Sequence, residues 1–330
     1  MRIYNVVQSV KGGCGKTTFS IMLSSFMGLN KNREKMGETC LLDVDFQGTS
    51  LINLFTCDDK VDTREVRQCY LNDKMRKYDD CYSYVREYNG FDRKFYYVPS
   101  SPKQDQKEWF SANAKMNYIP HMAYNMFEIN LKSMLDSNGE GIAKEIEKLT
   151  NIIFDMPPSC DAYSDIIKKC VVNESERIRK SEDIVNYFLM INLDPTHLYS
   201  TIEYLEQILR GSDQIPTHIF IVFNNTFYFQ NDSKVEKTLN LIFEERKKDI
   251  EIALEKEHID EKTKEKIIFL TCPLYKKYVE RIVNKETLCK IKGDNPFTDN
   301  PVKYMGKCGS NTMHIINSDE FIELISTIQR

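Results

Sequence analysis

The chain has 330 residues, of which 41% are hydrophobic and 28% charged, and its formal net charge is -4. This composition is ordinary for a folded protein of one large or two small domains, and the net charge excludes nucleic-acid binding through overall charge alone. No apolar run reaches the roughly 18 residues of a membrane-spanning helix, and the first residues contain no signal-peptide core. We therefore expect a cytoplasmic protein whose ten cysteines are reduced thiols.

Short apolar runs alternate with amphipathic patterns along the chain. The runs are mostly continuous, which is typical of parallel strands covered by helices on both faces. The predicted strands are Ile3–Val10, Thr39–Asp43, Phe95–Val98, Ile152–Asp155, Tyr187–Asn192, Ile219–Phe223 and Ile267–Thr271. Lys16–Leu29 and Pro195–Arg210 each place apolar side chains on one stripe and predict helices, the second with Asp194 as its N-cap. The alternation predicts a doubly wound α/β domain with a mostly parallel sheet and helices on both faces.

Two polar stretches, 57–94 and 101–150, do not fit this alternation and are predicted to be surface insertions. A third stretch, Glu244–Lys266, is dense in charges of both signs, which predicts a solvated helix. No internal repeat or low-complexity linker divides the chain. We therefore expect a single domain that spans residues 1–330.

A glycine-rich loop joins the first predicted strand to the first predicted helix. Its sequence is Lys11-Gly12-Gly13-Cys14-Gly15-Lys16-Thr17-Thr18. Glycines let backbone N–H groups approach a phosphate without a Cβ in the way, and the following helix adds the positive end of its dipole. Lys16 would reach the β- and γ-phosphate oxygens, and the Thr17 hydroxyl would bind Mg²⁺. The alternative is a glycine-rich turn that precedes a helix by chance.

The loop departs from the usual phosphate-loop pattern, because Val10 stands where glycine is usual and Lys11 follows it. In this form it resembles the deviant Walker A loop of the ParA/MinD family of P-loop ATPases. The resemblance implies an ATPase that binds ATP and Mg²⁺, and it implies that all eight loop residues contact the nucleotide. It also implies a homodimer in which Lys11 crosses the interface to the phosphates of the partner's nucleotide. Without the family, Lys11 is a cation beside a phosphate site, which is equally sensible electrostatically.

Two acidic residues, Asp43 and Asp45, follow the second predicted strand. At positions i and i+2 they face the same way, and beside a phosphate loop they could orient Mg²⁺ and an attacking water. The segment resembles the Asp-x-Asp-Pro-Gln-Gly switch of the ParA branch, which implies that Asp45 positions the water and Asp43 lies near the metal. Phe46 replaces the usual proline, so a non-hydrolysing, nucleotide-dependent interaction module remains an alternative. An ordinary surface turn is the simpler alternative.

A later apolar run ends in Asp155 and is followed by Pro157 and Pro158. Prolines stop a strand and stiffen the loop after it. The run resembles the Walker B strand of the same family. The resemblance implies that Asp155 holds Mg²⁺ through a water.

Four residues near the ends of two late strands are candidate contacts to adenine. Asn224 and Asn225 end the strand at which the family usually recognises the base, and Pro273 and Leu274 belong to the following strand and loop. Either asparagine could hydrogen-bond the adenine edge. The alternative is ordinary loop chemistry, because asparagine favours turns.

The resemblance to the ParA branch implies a role in plasmid or chromosome partition. In such proteins the ATP-bound dimer binds DNA without sequence specificity, and a ParB-like partner stimulates slow hydrolysis. Lys276, Lys277, Arg281 and Lys290 lie where the family often has basic residues and could neutralise DNA phosphates. A solvated helix face is the alternative. A partition ATPase of this kind would be cytoplasmic and associated with the nucleoid.

A MinD-like ATPase that cycles on a membrane is the second hypothesis. Such a protein needs a basic amphipathic helix at its C-terminus. The polar face of residues 318–330 is acidic instead, which disfavours anionic lipid. We therefore expect this segment to be a helix docked on the core, and membrane binding is not expected.

Overall fold

The structure is a computed structural model. The residues it describes are 1–45, 51, 67–68, 82–83, 85–90, 92–100, 128, 131–132, 134–135, 142–158, 166–167, 170–171, 182–210, 216–227, 233–274, 306–308, 313–315 and 317–327. Within them the strands are β1 (Ile3–Ser9), β2 (Glu38–Asp43), β3 (Arg67–Gln68), β4 (Tyr82–Ser83), β5 (Arg86–Gly90), β6 (Arg93–Val98), β7 (Leu149–Pro158), β8 (Ile184–Ile191), β9 (His218–Phe227), β10 (Ile267–Leu274), β11 (Gly306–Cys308) and β12 (Met313–Ile315). The helices are α1 (Lys16–Met27), α2 (Asn30–Met36), α3 (Ile142–Glu145), α4 (Pro195–Leu209), α5 (Ser233–Lys256), α6 (Glu261–Lys264) and α7 (Ser318–Ser326).

A ten-stranded sheet runs through the molecule in the order β12-β11-β10-β9-β8-β1-β7-β2-β6-β5. Every pair from β10 to β6 in this order is parallel. The antiparallel strands β11, β12 and β5 lie at the two edges. The predicted mostly parallel α/β sheet is therefore confirmed. The edge strands were not predicted, because they are short and lie in polar stretches without a continuous apolar run.

Helices cover both faces of the sheet, as predicted. On one face α1 and α7 pack together, with the rings of Phe26 and Phe321 edge-on and their centroids 5.5 Å apart. On the other face α5 packs against β9, where the rings of Phe223 and Phe243 are 4.8 Å apart. Successive residues of each central strand enter opposite cores, which is why the strands appear in the sequence as unbroken apolar runs.

A polar ladder crosses β1, β8 and β9 on the face that α7 covers. Asn5, Asn186 and His218 occupy matching register positions and are buried. The amide nitrogen of Asn186 donates to Asn5 Oδ1 at 3.0 Å and to the carbonyl of Ile325 at 2.9 Å, and His218 Nδ1 lies 2.8 Å from Asn186 Oδ1. Burial lowers the pKa of His218 to about 4, so the ring is neutral at physiological pH. The ladder fixes the last turn of α7 on the sheet.

The C-terminal helix is thus docked on the core, through Phe321 and Ile325, rather than projecting from it. Among the described residues, no helix is long and apolar enough to cross a bilayer.

We expect Phe321→Ala to lower the free energy of unfolding by about 3–5 kcal/mol, because it leaves a cavity between α1 and α7. Urea denaturation followed by circular dichroism measures the loss. Glu323→Ala is the matched control, because Glu323 lies on the same helix with its side chain exposed. Equal stabilities for the two variants would contradict the docking of α7.

Candidate nucleotide-binding site

The candidate site lies at the carboxyl edge of β1, β7 and β2. Asp155 near the end of β7 is the register partner of Val7 in β1 and of Asp43 at the end of β2. In the sheet, β1 lies between β7 on one side and β8 on the other, so the winding of the chain reverses at β1. In open α/β sheets, ligands bind in the crevice where the direction of winding reverses. The predicted loop and the carboxylates of Asp43 and Asp155 therefore meet at one edge.

The loop after β1 has backbone geometry that requires glycine. Gly13 and Gly15 have φ values of 79° and 80°, a region that side chains disfavour. A Cβ on Gly15 would also overlap the amide nitrogen of Asn224. The Ser9 hydroxyl donates to the carbonyl of Lys11 at 2.6 Å, and α1 begins directly after the loop at Lys16. The loop thus leads into a helix N-terminus, as a phosphate site requires.

Residue 14 of the loop is held from two sides. The Asn224 amide nitrogen donates to the carbonyl of Cys14 at 2.8 Å, and the Cys14 sulfur lies 3.0 Å from His197 Nδ1. Burial raises the pKa of the Cys14 thiol, so the group packs as a neutral thiol. His197 was not predicted, because a single histidine in the first turn of a helix has no pattern that marks it.

The candidate adenine contacts lie on adjacent strands. β9 and β10 are parallel neighbours, and Cys272 is the register partner of Asn224. Pro273 and Leu274 pair with the last two residues of β9, the strand that also contains Asn225. Their side chains lie outside the described residues, so their contact with adenine stays a prediction, as does that of Asn224.

The charged side chains of the site are buried together. Lys16, Asp43, Asp45 and Asp155 are each less than one-tenth exposed. The Thr17 side chain hydrogen-bonds to Asp155. The Ser100 backbone N–H, just after β6, donates to Asp43 Oδ2 at 3.2 Å. The structure thus brings Lys16 and all three predicted carboxylates to one place.

The electrostatics of the two strand-end carboxylates favour a cation. Burial raises the pKa of Asp155 to about 7, although Thr17 and Lys16 oppose the rise. Burial, and then the neighbouring Asp155, raises the pKa of Asp43 well above its ordinary value. Two close buried carboxylates resist ionising together. A bound cation removes that repulsion.

The oxygen atoms present fit Mg²⁺. Asp43 Oδ1 and Asp155 Oδ2 are buried and have no hydrogen-bond partner among the described residues. Mg²⁺ prefers oxygen ligands and is usually held by one or two carboxylates together with phosphates and water. In the described part of the chain, no group of three or more His, Cys, Asp or Glu side chains is arranged to hold a metal ion. Thr17, Asp43 and Asp155 would hold it.

The remaining predicted residues are Lys11, Phe46 and the candidate DNA contacts. Lys11 is half-buried, beside the exposed Gly12 and Gly13. Phe46 lies outside the described residues, and so do the candidate DNA contacts. These contacts are Lys276, Lys277, Arg281 and Lys290.

Comparison of the structure with known proteins assigns the fold. No family model matches the sequence, and no curated protein matches it. The BB_S35 protein of Borrelia burgdorferi B31, a candidate plasmid partition protein solved with AMPPNP, aligns over 90% of this chain and 94% of its own, with a TM-score of 0.52 and 16% identity. The chain has the ParA/MinD fold. The resemblance predicted from the loop is confirmed at this level.

Two further ParA/MinD structures align at lower TM-scores. The cell division ATPase MinD of Pyrococcus furiosus covers 90% of this chain and 94% of its own, with 15% identity and a TM-score of 0.47. The pNOB8 ParA protein bound to nonspecific DNA covers 81% of this chain and 80% of its own, with 14% identity and a TM-score of 0.44. The fold assignment relies on the Borrelia structure.

The raised pKa of Asp155 predicts how the stability of the nucleotide-free ParA/MinD domain depends on pH. The folded protein binds this proton up to pH about 7, whereas the unfolded chain releases it near pH 3.9. Stability is therefore lost as the pH rises between these values. Asp155→Asn cannot ionise, so we expect it to be more stable than wild type at pH 8, by on the order of a few kcal/mol, with an advantage that shrinks towards pH 4.

Urea denaturation in EDTA at several pH values measures this difference. Asp319→Asn is the control, because Asp319 is exposed and its removal should leave the pH profile unchanged. An Asp155→Asn variant that is less stable than wild type at pH 8 would show that the carboxylate is stabilised in the fold by a partner.

Proposed function

We propose that the chain is a ParA-like ATPase that binds Mg-ATP, forms a nucleotide sandwich homodimer and acts in plasmid or chromosome partition through ATP-dependent, non-specific DNA binding. The observation that carries the proposal is the meeting of the deviant loop with Asp43 and Asp155 at one edge of the sheet. The AMPPNP bound to the Borrelia protein of the same fold supports ATP as the ligand.

Nucleotide binding would use the groups that surround the loop. Gly12 and Gly13 are exposed, so an anion can approach their backbone from solvent. Lys16 at the first position of α1 would contact the β- and γ-phosphates. Mg²⁺, when bound, neutralises phosphate charge, and the Thr17 hydroxyl and the carboxylates of Asp43 and Asp155 are the oxygens that would hold it.

Hydrolysis would depend on Asp45 and on Lys11. Asp45 follows Asp43 by two residues and is buried beside it, so its carboxylate could orient a water towards the γ-phosphate. Lys11 would come from the partner subunit and stabilise charge that develops on the phosphates. Dimerisation would then be needed for turnover, which would keep hydrolysis slow until a ParB-like partner stimulates it.

We expect Asp45→Ala to bind ATP and accumulate as a dimer, because it would lose the group that positions water and keep the phosphate contacts. Size-exclusion chromatography with ATP and Mg²⁺, together with phosphate release, measures both effects. Lys16→Ala is the control and should neither bind ATP nor dimerise, because it lacks the phosphate-binding cation. A monomeric Asp45→Ala variant with wild-type turnover would refute the assigned role.

The docking of α7 disfavours the use of this helix to bind a membrane. The apolar side chains Phe321 and Ile325 are fully buried, and the Asn186 amide binds the last turn of the helix. A membrane-binding helix has to present its apolar face to lipid. This helix would have to leave the core first, at the cost of that burial.

DNA binding should require ATP, ignore base sequence and weaken steeply as salt rises. One subunit offers few phosphate contacts, whereas a dimer doubles them on one DNA. We expect Lys277→Glu/Arg281→Glu to abolish co-sedimentation with DNA and to leave basal ATP hydrolysis unchanged, because neither residue belongs to the phosphate loop.

Lys31→Glu/Lys262→Glu is the control for that experiment, because it makes the same change of charge at exposed positions elsewhere. Equal loss of DNA binding in both double variants would mean that overall charge, not this segment, attracts DNA. Binding of the ATP-bound wild type to anionic liposomes, and not to DNA, would instead favour the membrane-cycling ATPase.

A further inference from the structure

Helix α1 contains a serine whose hydroxyl does not make the bond that is usual in helices. The hydroxyls of Ser24, Ser200 and Ser326 each donate to the backbone carbonyl four residues earlier, as helical serines commonly do. Ser20 is fully buried, and its hydroxyl donates instead to Asp155 Oδ1 on β7 at 3.1 Å. The bond joins residues that are 135 positions apart.

Asp155 is held by one of its two oxygens. Oδ1 accepts from Ser20, while Oδ2 is buried and has no partner among the described residues. Asp43 on the neighbouring strand shows the same asymmetry, because Oδ2 accepts from the Ser100 N–H and Oδ1 has no such partner. In each carboxylate, therefore, one oxygen is fixed and the other is left for a ligand.

We propose that Ser20 is a positioning residue for the Mg²⁺ site: it fixes the Asp155 carboxylate so that Oδ2 faces the metal and its water. This inference rests on the proposed function. Groups that hydrogen-bond to metal-binding carboxylates orient them and are usually needed for full metal affinity. The sequence motif contains no sign of this role, because Ser20 lies beyond the last residue of the loop.

The position of Ser20 suits this role. It lies one turn after Thr17 on the same face of α1, about 4.5 Å further along the helix axis. Thr17 lies close enough to Asp155 to lower its pKa, so two hydroxyls on one face of α1 lie near this carboxylate.

The Mg²⁺ dependence of ATP binding tests the proposal. A fluorescent ATP analogue is titrated at fixed protein concentration against Mg²⁺ and, separately, in EDTA. We expect Ser20→Ala to raise the Mg²⁺ concentration at half-maximal binding about tenfold and to leave the affinity in EDTA unchanged. Ser20→Thr keeps the hydroxyl and should restore most of the Mg²⁺ affinity.

Ser24→Ala is the matched control. Ser24 is equally buried on the same helix, but its hydroxyl bonds to a backbone carbonyl and not to Asp155. If Ser20→Ala does not fold by circular dichroism, Ser20→Cys replaces it, because a thiol has nearly the same shape and is a weak donor.

The outcomes separate the two proposals. The role of Ser20 would be overturned if the Mg²⁺ midpoint of Ser20→Ala, or of Ser20→Cys where that variant is used, equalled that of Ser24→Ala. The ATPase proposal would then stay intact. A wild-type protein that binds the analogue neither with Mg²⁺ nor in EDTA would overturn the ATPase proposal itself.

Discussion

The site depends on the burial of two carboxylates at partner positions of adjacent parallel strands. Asp43 and Asp155 face each other in the register of β2 and β7, and both are almost completely excluded from solvent. Burying a charge costs free energy unless it is paired and hydrogen-bonded. In this protein single hydrogen bonds from α1 and from the segment after β6 satisfy part of that need. What is left unsatisfied is a pair of oxygens suited to a divalent cation.

Distant parts of the chain hold the surroundings of this arrangement. Residue 14 of the loop is held by Asn224 from the end of β9 and by His197 from the first turn of α4, so elements that are far apart in the chain set the shape of the loop. The face of the sheet that α1 covers is also covered by α7, whose last turn is bound by the polar ladder on β8. A site whose groups are held in this way needs little rearrangement to bind a charged ligand.

The ParA/MinD fold does not by itself determine the task of the protein, because function lies in sites rather than in folds. Two features of this chain narrow the choice. Lys11 in the loop suits an ATPase that works as a dimer, and a C-terminal helix docked through Phe321 and Ile325 suits a protein that does not use that helix to bind lipid. Both features are compatible with the proposed role in partition.

The sequence by itself determined the parallel α/β sheet, the position of the loop and the two strand-end carboxylates. These features are local, because continuous apolar runs, glycine spacing and an acidic residue at a strand end are all visible within about ten residues. Only the tertiary structure decided which groups act on them. Ser20, His197 and Asn224 reach the site across gaps of more than 130 residues, and one serine or histidine in a helix has no periodic signal that distinguishes it from its neighbours. The antiparallel edge strands also escaped prediction, because they are short and are defined by the strand beside which they lie rather than by their own composition.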